Sequence, residues 1–294
     1  MRRPWDLSER ALAFFFLVPA FLLLSLVAVY PAAHLFLTSF RELHLALGTQ
    51  GAFVGLANYR QLLEDARFWN ALRVTLEIVL VTVPGATLFG LALALMANLP
   101  YGIKWPVRLG LLLPWAMPLV FAGLIFRWFF ESDFGIVNDV LRRLGQGPLF
   151  WLTDPILAFW AVALSIVWKT SSFVALVLLA GLQSIPREYY EAARVDGAGA
   201  LQIFWRITLP LLKPALLVAL IFRTLTALQT FDIPYAMTGG GPGHATETLA
   251  MFIRTQSVEN LNLGYGSAAA MTLFALSMAV TSLYLRHLQA TEGE

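Results

Sequence analysis

The chain has 294 residues, of which 59% are hydrophobic and 13% are charged, and its mean hydropathy is +0.71. A soluble domain carries about 25% charged residues, so the polar residues here are too few to cover a globule in water. Cysteine is absent, which excludes disulfides, thiol nucleophiles and cysteine-ligated metals. The net charge of +2 is small and is better explained by basic loops at a membrane surface than by nucleic-acid binding.

Six apolar segments are long enough to cross a bilayer as helices, which takes about 20 residues each. Lipid offers no partner to a free backbone group, so every segment is predicted to be helical, including those that contain proline. The first segment is too long for a signal-peptide core and is predicted to be retained. These features predict an all-α, polytopic membrane protein with one transmembrane domain over residues 1–294. The predicted spans are 11–37, 72–97, 107–130, 156–182, 208–232 and 267–286.

Lysine and arginine predict the orientation, because they are enriched in the cytoplasmic loops of membrane proteins. If the N-terminus is cytoplasmic, the short basic loops near 98–107 and 185–206 are cytoplasmic as well, and so is the C-terminus. The basic residues on that side are then Arg2, Arg3, Arg10, Lys104, Arg108, Arg187, Arg194, Arg206, Lys213 and Arg286.

Catalytic chemistry is poorly represented in the sequence. None of the three lysines follows a glycine, so a Walker A phosphate loop is excluded. The four histidines are scattered without metal-ligand spacing, and no G-x-S-x-G motif is present. The glycine-rich run Gly239–Gly243 favours a structural turn. The chain is therefore predicted not to be an enzyme, and no catalytic or metal-ligating residue is assigned.

The most informative segment is the polar stretch EAARVDGAGALQIFWRITLP at residues 191–210, between two apolar spans. Pro186 is predicted to end the fourth span, and a new helix is predicted to open at Arg187. Gly197 and Gly199 then allow the chain to bend back. Taken alone, the acidic residues are explained by a solvated loop in which they cap a helix.

The spacing of this segment resembles the loop that marks permease subunits of binding-protein-dependent ABC importers. It matches the pattern at Glu191, Ala192, Ala193, Gly197, Ile207, Leu209 and Pro210. Residues 53–59, 231–232 and 238–242 resemble segments of the MalF-like (maltose-type) branch of sugar permeases. The resemblance implies a six-helix type I importer permease fold in the plasma membrane of a bacterium or archaeon.

The resemblance also implies the partners. In this family the loop at 185–206 forms a coupling helix that lies in a cleft of an ATPase, with Glu191, Ala192, Ala193 and Gly197 at the contact. The expected assembly has a second permease, two ATPase subunits that bind ATP and Mg, and an extracytoplasmic solute-binding protein. This chain needs no cofactor of its own.

Polar residues inside the fourth and fifth spans are candidates for a substrate site. A charge in hydrocarbon costs about 2.5–3.5 kcal/mol, so Lys169 and Arg223 are expected to face protein or a water-filled cavity. In the maltose-type family these two spans line the sugar cavity, and Trp168 falls at the position of a sugar-contacting tryptophan. The residues assigned to substrate binding on this basis are Trp168, Lys169, Thr170, Ser172, Phe173, Gln229 and Thr230.

Two observations weigh against a simple transfer of the maltose site. Ala227 and Thr230 replace the asparagines that contact sugar in the maltose permease, which puts maltose itself in doubt. Each polar residue is also compatible with an interhelical contact, such as a salt bridge between Lys169 and Asp232. Near the span ends, Arg127 is expected to snorkel and receives no function.

The function predicted from the sequence is import of a sugar, a di- or oligosaccharide, by alternating access driven by a partner ATPase. Glycerol-phosphate or another polyol is the alternative within the same class, because Lys169 and Arg223 suit an anion. Two other classes remain: an ion-coupled secondary transporter, which predicts inverted repeats and acidic residues at midmembrane, and a membrane-embedded enzyme or channel subunit.

Overall fold

The computed structural model describes residues 9–49, 51–99 and 105–292. Among these residues, five helices are long and apolar enough to cross a membrane, and a sixth span is present if a bent helix pair is counted as one. Arg2, Arg3 and Lys104, which contribute to the predicted orientation, lie outside the described residues. The five helices cover Leu12–Ser39, Ala66–Asn98, Pro155–Ser184, Ala200–Leu228 and Leu263–Tyr284.

The chain divides into two compact units, Met1–Glu64 with Ile253–Thr272, and Asp65–Phe252 with Leu273–Glu294. The first unit contains the first span and the hairpin that follows it. Its elements are α1 (Glu9–Leu24), a π-helical turn (Ser25–Val29), α2 (Tyr30–Ser39), β1 (Arg41–Glu42), a 3-10 turn (Leu45–Leu47), β2 (Ala52–Phe53), α3 (Ala57–Glu64) and a second π-helical turn (Thr255–Glu259).

A short antiparallel ladder follows the first span, which the all-α prediction did not include. Arg41 pairs with Phe53, and Glu42 pairs with Ala52. The Asn58 side chain donates to the carbonyl oxygens of Ser39 and Arg41, at 2.9 Å each. The segment 53–59, which carries part of the family resemblance, therefore closes the end of α2 with buried hydrogen bonds.

The second unit contains the remaining spans and the polar helices between them. Two helices cross from one unit to the other along the chain, α13 and α14. The elements are α4 (Ala66–Asn98), α5 (Trp105–Ala116), α6 (Leu119–Phe129), α7 (Ile136–Arg143), α8 (Pro155–Ser184), α9 (Arg187–Val195), α10 (Ala200–Ile203), a π-helical turn (Phe204–Thr208), α11 (Leu209–Leu228), α12 (Asp232–Thr238), α13 (Leu249–Arg254) and α14 (Leu263–Glu292).

The third span is broken, whereas the sequence predicted one helix over 107–130. Helices α5 and α6 meet at an angle of 97° around Met117 and Pro118. Proline has no backbone N–H, and its ring clashes with the carbonyl group four residues earlier, so a helix ends readily at this point. Pro84, by contrast, lies inside the continuous helix α4.

The fifth span also ends earlier than predicted. Helix α11 stops at Leu228, and α12 begins at Asp232 rather than continuing the helix through that residue. Pro234 lies in the first turn of α12, where its missing N–H costs nothing. In a continuous helix the same proline would clash with the Thr230 carbonyl, which explains the break.

Small residues bring the spans of the second unit close together. A Cβ atom on Gly90 of α4 would lie 2.7 Å from Cβ of Val174 in α8, and one on Gly181 of α8 would lie 2.6 Å from Cβ of Ala215 in α11. Membrane helices associate through such close approaches, because lipid provides no hydrophobic drive between them. Helix α8 is therefore central, with α4 and α11 packed against it.

A buried ion pair joins the start of α4 to the segment after α12. The Arg67 guanidinium donates to both carboxylate oxygens of Glu247, at 2.9 and 2.7 Å, and the Glu247 side chain is 4% exposed. His244 Nδ1 lies 2.8 Å from the same carboxylate. Gly239, Gly240 and Gly243 have positive φ angles, so the glycine-rich run is the structural turn that the sequence predicted.

Candidate coupling helix and substrate-facing residues

Helix α9 begins and ends as the polar stretch predicted. Helix α8 ends at Ser184, and Pro186 is the N-cap of α9 with φ −60° and ψ 138°. Because Pro186 lacks an N–H and holds an extended backbone, α8 and α9 are separate helices. Glu188 lies in the first turn, where a carboxylate is favoured by the helix dipole.

The C-terminus of α9 is closed by a Schellman motif. The Ala198 N–H donates to the Ala193 carbonyl at 2.9 Å, and the Gly197 N–H donates to the Arg194 carbonyl at 3.1 Å. Gly197 has φ +79°, the left-handed conformation that this motif requires at its C′ position. The spacing from Ala193 to Gly197 is thus set by helix-capping geometry. Gly199, with φ −71°, instead begins α10.

The surface of α9 is available for a partner. No residue of the helix is buried, and Val195 is 87% exposed. Tyr190 is the residue of α9 that packs against the apolar cluster formed by α4, α8 and α11. Within the described part of the chain, Glu191 forms no ion pair, so its carboxylate is available to a cation on another protein.

The predicted substrate residues differ in accessibility. Trp168 and Gln229 are exposed, whereas Lys169 and Ser172 are buried, at 6% and 2%. The others are partly exposed, namely Thr170, Phe173 and Thr230. Phe173 of α8 lies edge-to-face against Phe222 of α11, with 6.2 Å between ring centroids.

Trp168 and Lys169 contact the two halves of the broken third span, α6 and α5 respectively. The Trp168 ring lies edge-to-face against Phe126 of α6, 5.1 Å between centroids. Lys169 Nζ donates to the Trp115 carbonyl oxygen of α5 at 2.9 Å. A cation is well placed there, because the last carbonyl groups of a helix lack N–H partners and carry partial negative charge. Among the described residues, Lys169 forms no salt bridge with Asp232.

Arg223 is the second buried cation of these spans, and it is 2% exposed. Its Nη2 donates to Thr82 Oγ1 of α4 at 2.7 Å, and its Nη1 lies 3.4 Å from Thr226 Oγ1. Its Nε is buried without a hydrogen-bond partner. Within the described residues, no carboxylate pairs with Arg223.

Sequence reasoning missed the hydrogen-bond partners of both cations. The Trp115 carbonyl is a main-chain group exposed only by the break in the third span, so the sequence carries no signal for it. Thr82 lies inside an apolar span, where a threonine hydroxyl indicates a hydrogen bond to a neighbouring helix. Nothing in the sequence links it to Arg223, 141 residues away.

Comparison with known proteins agrees with this arrangement. Residues 86–291 match the family described as binding-protein-dependent transport system inner membrane component. Over 281 residues the chain is 59% identical to the sulfoquinovosyl glycerol transport system permease protein SmoG of Agrobacterium fabrum, covering 96% of this chain and 91% of that protein. It is 43% identical over 235 residues to the trehalose/maltose transport system permease protein MalF of Thermococcus litoralis, covering 80% and 79%.

The fold has a counterpart among solved structures. A bacterial ABC transporter involved in the import of the acidic polysaccharide alginate superposes with a TM-score of 0.83, at 22% identity over 95% of each chain. The chain belongs to the family of binding-protein-dependent transport system inner membrane components. It is a permease subunit of an ABC importer, and the six-span type I importer fold predicted from the sequence is confirmed.

Proposed function

We propose that this permease carries a glycoside across the plasma membrane, and that an ATPase bound at helix α9 drives the transport. The observation that carries the proposal is α9 itself. It is an exposed polar helix, Arg187–Val195, which begins after Pro186, is capped at its C-terminus by Gly197 and lies between two apolar spans. No residue of α9 is buried within this chain, so the surface of the helix is free to bind a partner protein.

The proposed substrate is a glycoside of two units. The relatives above are named for sulfoquinovosyl glycerol and for trehalose and maltose, which are all glycosides of about this size. Sugar recognition needs hydrogen-bonding groups for hydroxyls and an aromatic face for the sugar ring. Trp168 is exposed on α8, and Gln229 is exposed just after α11. The second unit therefore supplies both an aromatic face and a hydrogen-bonding amide for a sugar. Sulfoquinovosyl glycerol is the first substrate to test.

The proposed assembly contains a second permease, two ATPase subunits that bind ATP and Mg, and an extracytoplasmic solute-binding protein. A solved alginate transporter of the same fold includes a periplasmic protein bound to an alginate pentasaccharide, which supports the last of these partners. In the proposed orientation, α9 and both chain termini are cytoplasmic. The basic loops near 98–107 and 185–206 support it.

The proposed mechanism is alternating access. Closure of the ATPase dimer moves α9, and helix α8 is joined to α9 through Ile185 and Pro186. Because α8 packs on α4 and α11 through glycine and alanine contacts, these spans move together. The transmitted motion opens the substrate cavity to one side of the membrane at a time. This chain contributes the path and the coupling surface, and the partner ATPase supplies the energy.

Isolation of the tagged chain in mild detergent tests the assembly. We expect mass spectrometry to identify a P-loop ATPase and a second six-span chain in the purified complex. Recovery of an intact, monodisperse chain without an ATPase in several detergents would contradict the proposal and favour a secondary transporter.

A charge reversal tests the coupling helix. Glu191→Lys is expected to abolish ATP-dependent uptake of sulfoquinovosyl glycerol while the chain still inserts. Glu42→Lys is the matched control, because this exposed carboxylate belongs to β1 in the first unit. Equal uptake by the Glu191→Lys variant and the control would remove α9 from the mechanism.

A further inference from the structure

A cavity of about 630 Å³ lies at the end of the second unit opposite α9. It is formed by the last turns of α6, the segment after α6, the residues before α8, and α12. Its volume is within the range of pockets that enclose small organic ligands, about 300–1,000 Å³. In the orientation proposed above, it opens toward the outside of the membrane.

The wall of the cavity combines an aromatic ring, hydroxyls and two opposite charges. Its polar and aromatic lining residues are Arg127, Glu131, Ser132, Thr153, Tyr235 and Thr238. Tyr235 is 42% exposed, and its ring is stacked on Phe231 with 4.9 Å between centroids, which holds it in place. Val120 and Leu124 add an apolar wall. A sugar ring presents an apolar face and a rim of hydroxyls, and this lining suits both.

The two charged residues of the cavity are not paired with each other. Arg127 and Glu131 are four residues apart, a spacing that forms ion pairs inside a helix. Helix α6 ends at Phe129, so the two side chains do not share a continuous helical face. Within the described residues, neither forms an ion pair. Arg127 is exposed and therefore offers its guanidinium to a ligand anion, while Glu131 remains available to accept hydrogen bonds.

A contact between two small residues, one on α6 and one on α12, positions these helices at the cavity. A Cβ atom on Gly123 would lie 2.7 Å from Cβ of Ala236, so the two helices touch at this point. The cavity opens beside this contact, toward Arg127 on one helix and Tyr235 on the other. This helix contact gives the α6 and α12 side of the cavity a defined shape, and the segments after α6 and before α8 complete its wall.

We propose that this cavity is an outer binding site for an acidic glycoside, in which Arg127 binds the acidic group and Tyr235 packs against the sugar ring. The inference rests on the proposed function, and it adds a second ligand position apart from Trp168. A guanidinium binds a sulfonate or carboxylate through two parallel N–H donors, which a neutral sugar cannot use. The Glu131 carboxylate accepts hydrogen bonds from the sugar hydroxyls, and the hydroxyls of Ser132 and Thr153 both donate to them and accept from them.

Thiol labelling tests the site directly, because the chain has no native cysteine. Thr153→Cys places a single thiol in the cavity wall, and Leu144→Cys places one on an exposed residue outside the cavity. A membrane-impermeant maleimide is added to the complete importer in proteoliposomes. The labelling rate is measured with sulfoquinovosyl glycerol, with its uncharged counterpart glucosyl glycerol, and with inorganic sulfate.

We expect sulfoquinovosyl glycerol to slow labelling at position 153 at least about 3-fold, and to leave labelling at position 144 unchanged. Adding Arg127→Gln should raise the half-protecting concentration about 10-fold or more, since the charge-assisted contact of the guanidinium with the acidic group is lost. The variant should thereby remove the preference for the charged glycoside over glucosyl glycerol. Arg143→Gln, on the neighbouring helix α7, is the matched control and should change nothing.

Uptake by the same proteoliposomes separates the two proposals. Normal uptake of the glycoside with no protection at position 153 would overturn the outer site and leave the proposed function intact. Protection by sulfate alone would also overturn it, because the cavity would then bind only a free anion. Absence of uptake for every glycoside tested would overturn the proposed function, and the outer site with it.

Discussion

Substitution of Gly197 tests whether helix capping sets the four-residue spacing from Ala193 to Gly197 at the end of α9. The residue has φ +79°, and a Cβ atom built on it meets nothing within 4 Å. Substitution therefore meets no steric obstacle inside the chain, and the cost is confined to the backbone. For an L-residue other than glycine, the left-handed conformation costs about 1–2 kcal/mol, and asparagine tolerates it better than alanine or valine.

A cost of about 1–2 kcal/mol lowers the equilibrium constant for forming the capped helix end by about 5- to 30-fold. We expect Gly197→Ala and Gly197→Val to reduce ATP-dependent uptake by up to this factor, and Gly197→Asn to stay within about 3-fold of the natural chain. Gly197→Trp is expected to abolish uptake, because its side chain projects from the surface where the ATPase is proposed to bind. Gly199→Ala is the control, since Gly199 has φ −71°.

Uptake of labelled sulfoquinovosyl glycerol into vesicles containing the whole importer measures these effects, normalised to the amount of inserted chain. Equal losses for the asparagine and alanine variants would show that the left-handed conformation is not the reason for the glycine. Full uptake by Gly197→Trp would show that no partner binds this surface.

Three further perturbations test contacts inside the second unit. Glu247→Ala removes the carboxylate that pairs with Arg67, and it should lower the free energy of unfolding by about 3 kcal/mol, the low end for a buried pair because Arg67 is 35% exposed. Lys169→Met leaves the Trp115 carbonyl without its donor, and it should cost about 1–3 kcal/mol in a thermal unfolding assay in detergent. Trp168→Ala should reduce substrate-stimulated ATP hydrolysis more than basal hydrolysis, as expected if its ring contacts substrate.

Each of these predictions has a clear contrary result. Glu77→Ala removes an exposed pair with Arg73 at 3.8 Å and should cost less than about 1 kcal/mol, so an equal loss for Glu247→Ala would contradict the role of burial. Lys169→Arg keeps a donor and should lose less stability than Lys169→Met. An unchanged ratio of stimulated to basal hydrolysis would remove Trp168 from the substrate site.

Most of the spans and the bounds of helix α9 could be predicted because they depend on local chemistry. Length and apolar composition are sufficient to identify a membrane helix, and Pro186 with Gly197 marks the ends of α9 without reference to distant residues. The left-handed conformation of Gly197 follows the same logic, because only glycine adopts it at little cost.

The break in the third span could not be predicted, because proline does not by itself decide whether a membrane helix bends. Pro84 lies within a continuous helix, whereas α5 and α6 separate at Pro118. The difference depends on what satisfies the freed carbonyl groups. At the break, Lys169 reaches the Trp115 carbonyl from α8. That contact spans 54 residues, so the sequence predicts a charge at midmembrane without indicating its partner.

The outer cavity was missed for a related reason. Arg127 is predicted to snorkel when only its own helix is considered, since it lies near a span end. Arg127 and Tyr235 line the same cavity because α6 packs against α12. The sequence alone does not indicate this contact between the two helices. Arg127 and Tyr235 are 108 positions apart along the chain.

Both buried cations of the spans have neutral oxygen partners, and this affects which substrates the permease favours. Lys169 donates to a carbonyl, and Arg223 donates to threonine hydroxyls. No carboxylate within the described residues neutralises either, so the spans of the second unit carry a positive potential. At an effective dielectric constant of about 20, a unit charge about 10 Å from an anion contributes about 1.7 kcal/mol. We therefore expect an acidic glycoside to be preferred over its uncharged counterpart, and Arg223→Met to reduce that preference in competition uptake. An unchanged preference would show that the potential is neutralised by another subunit.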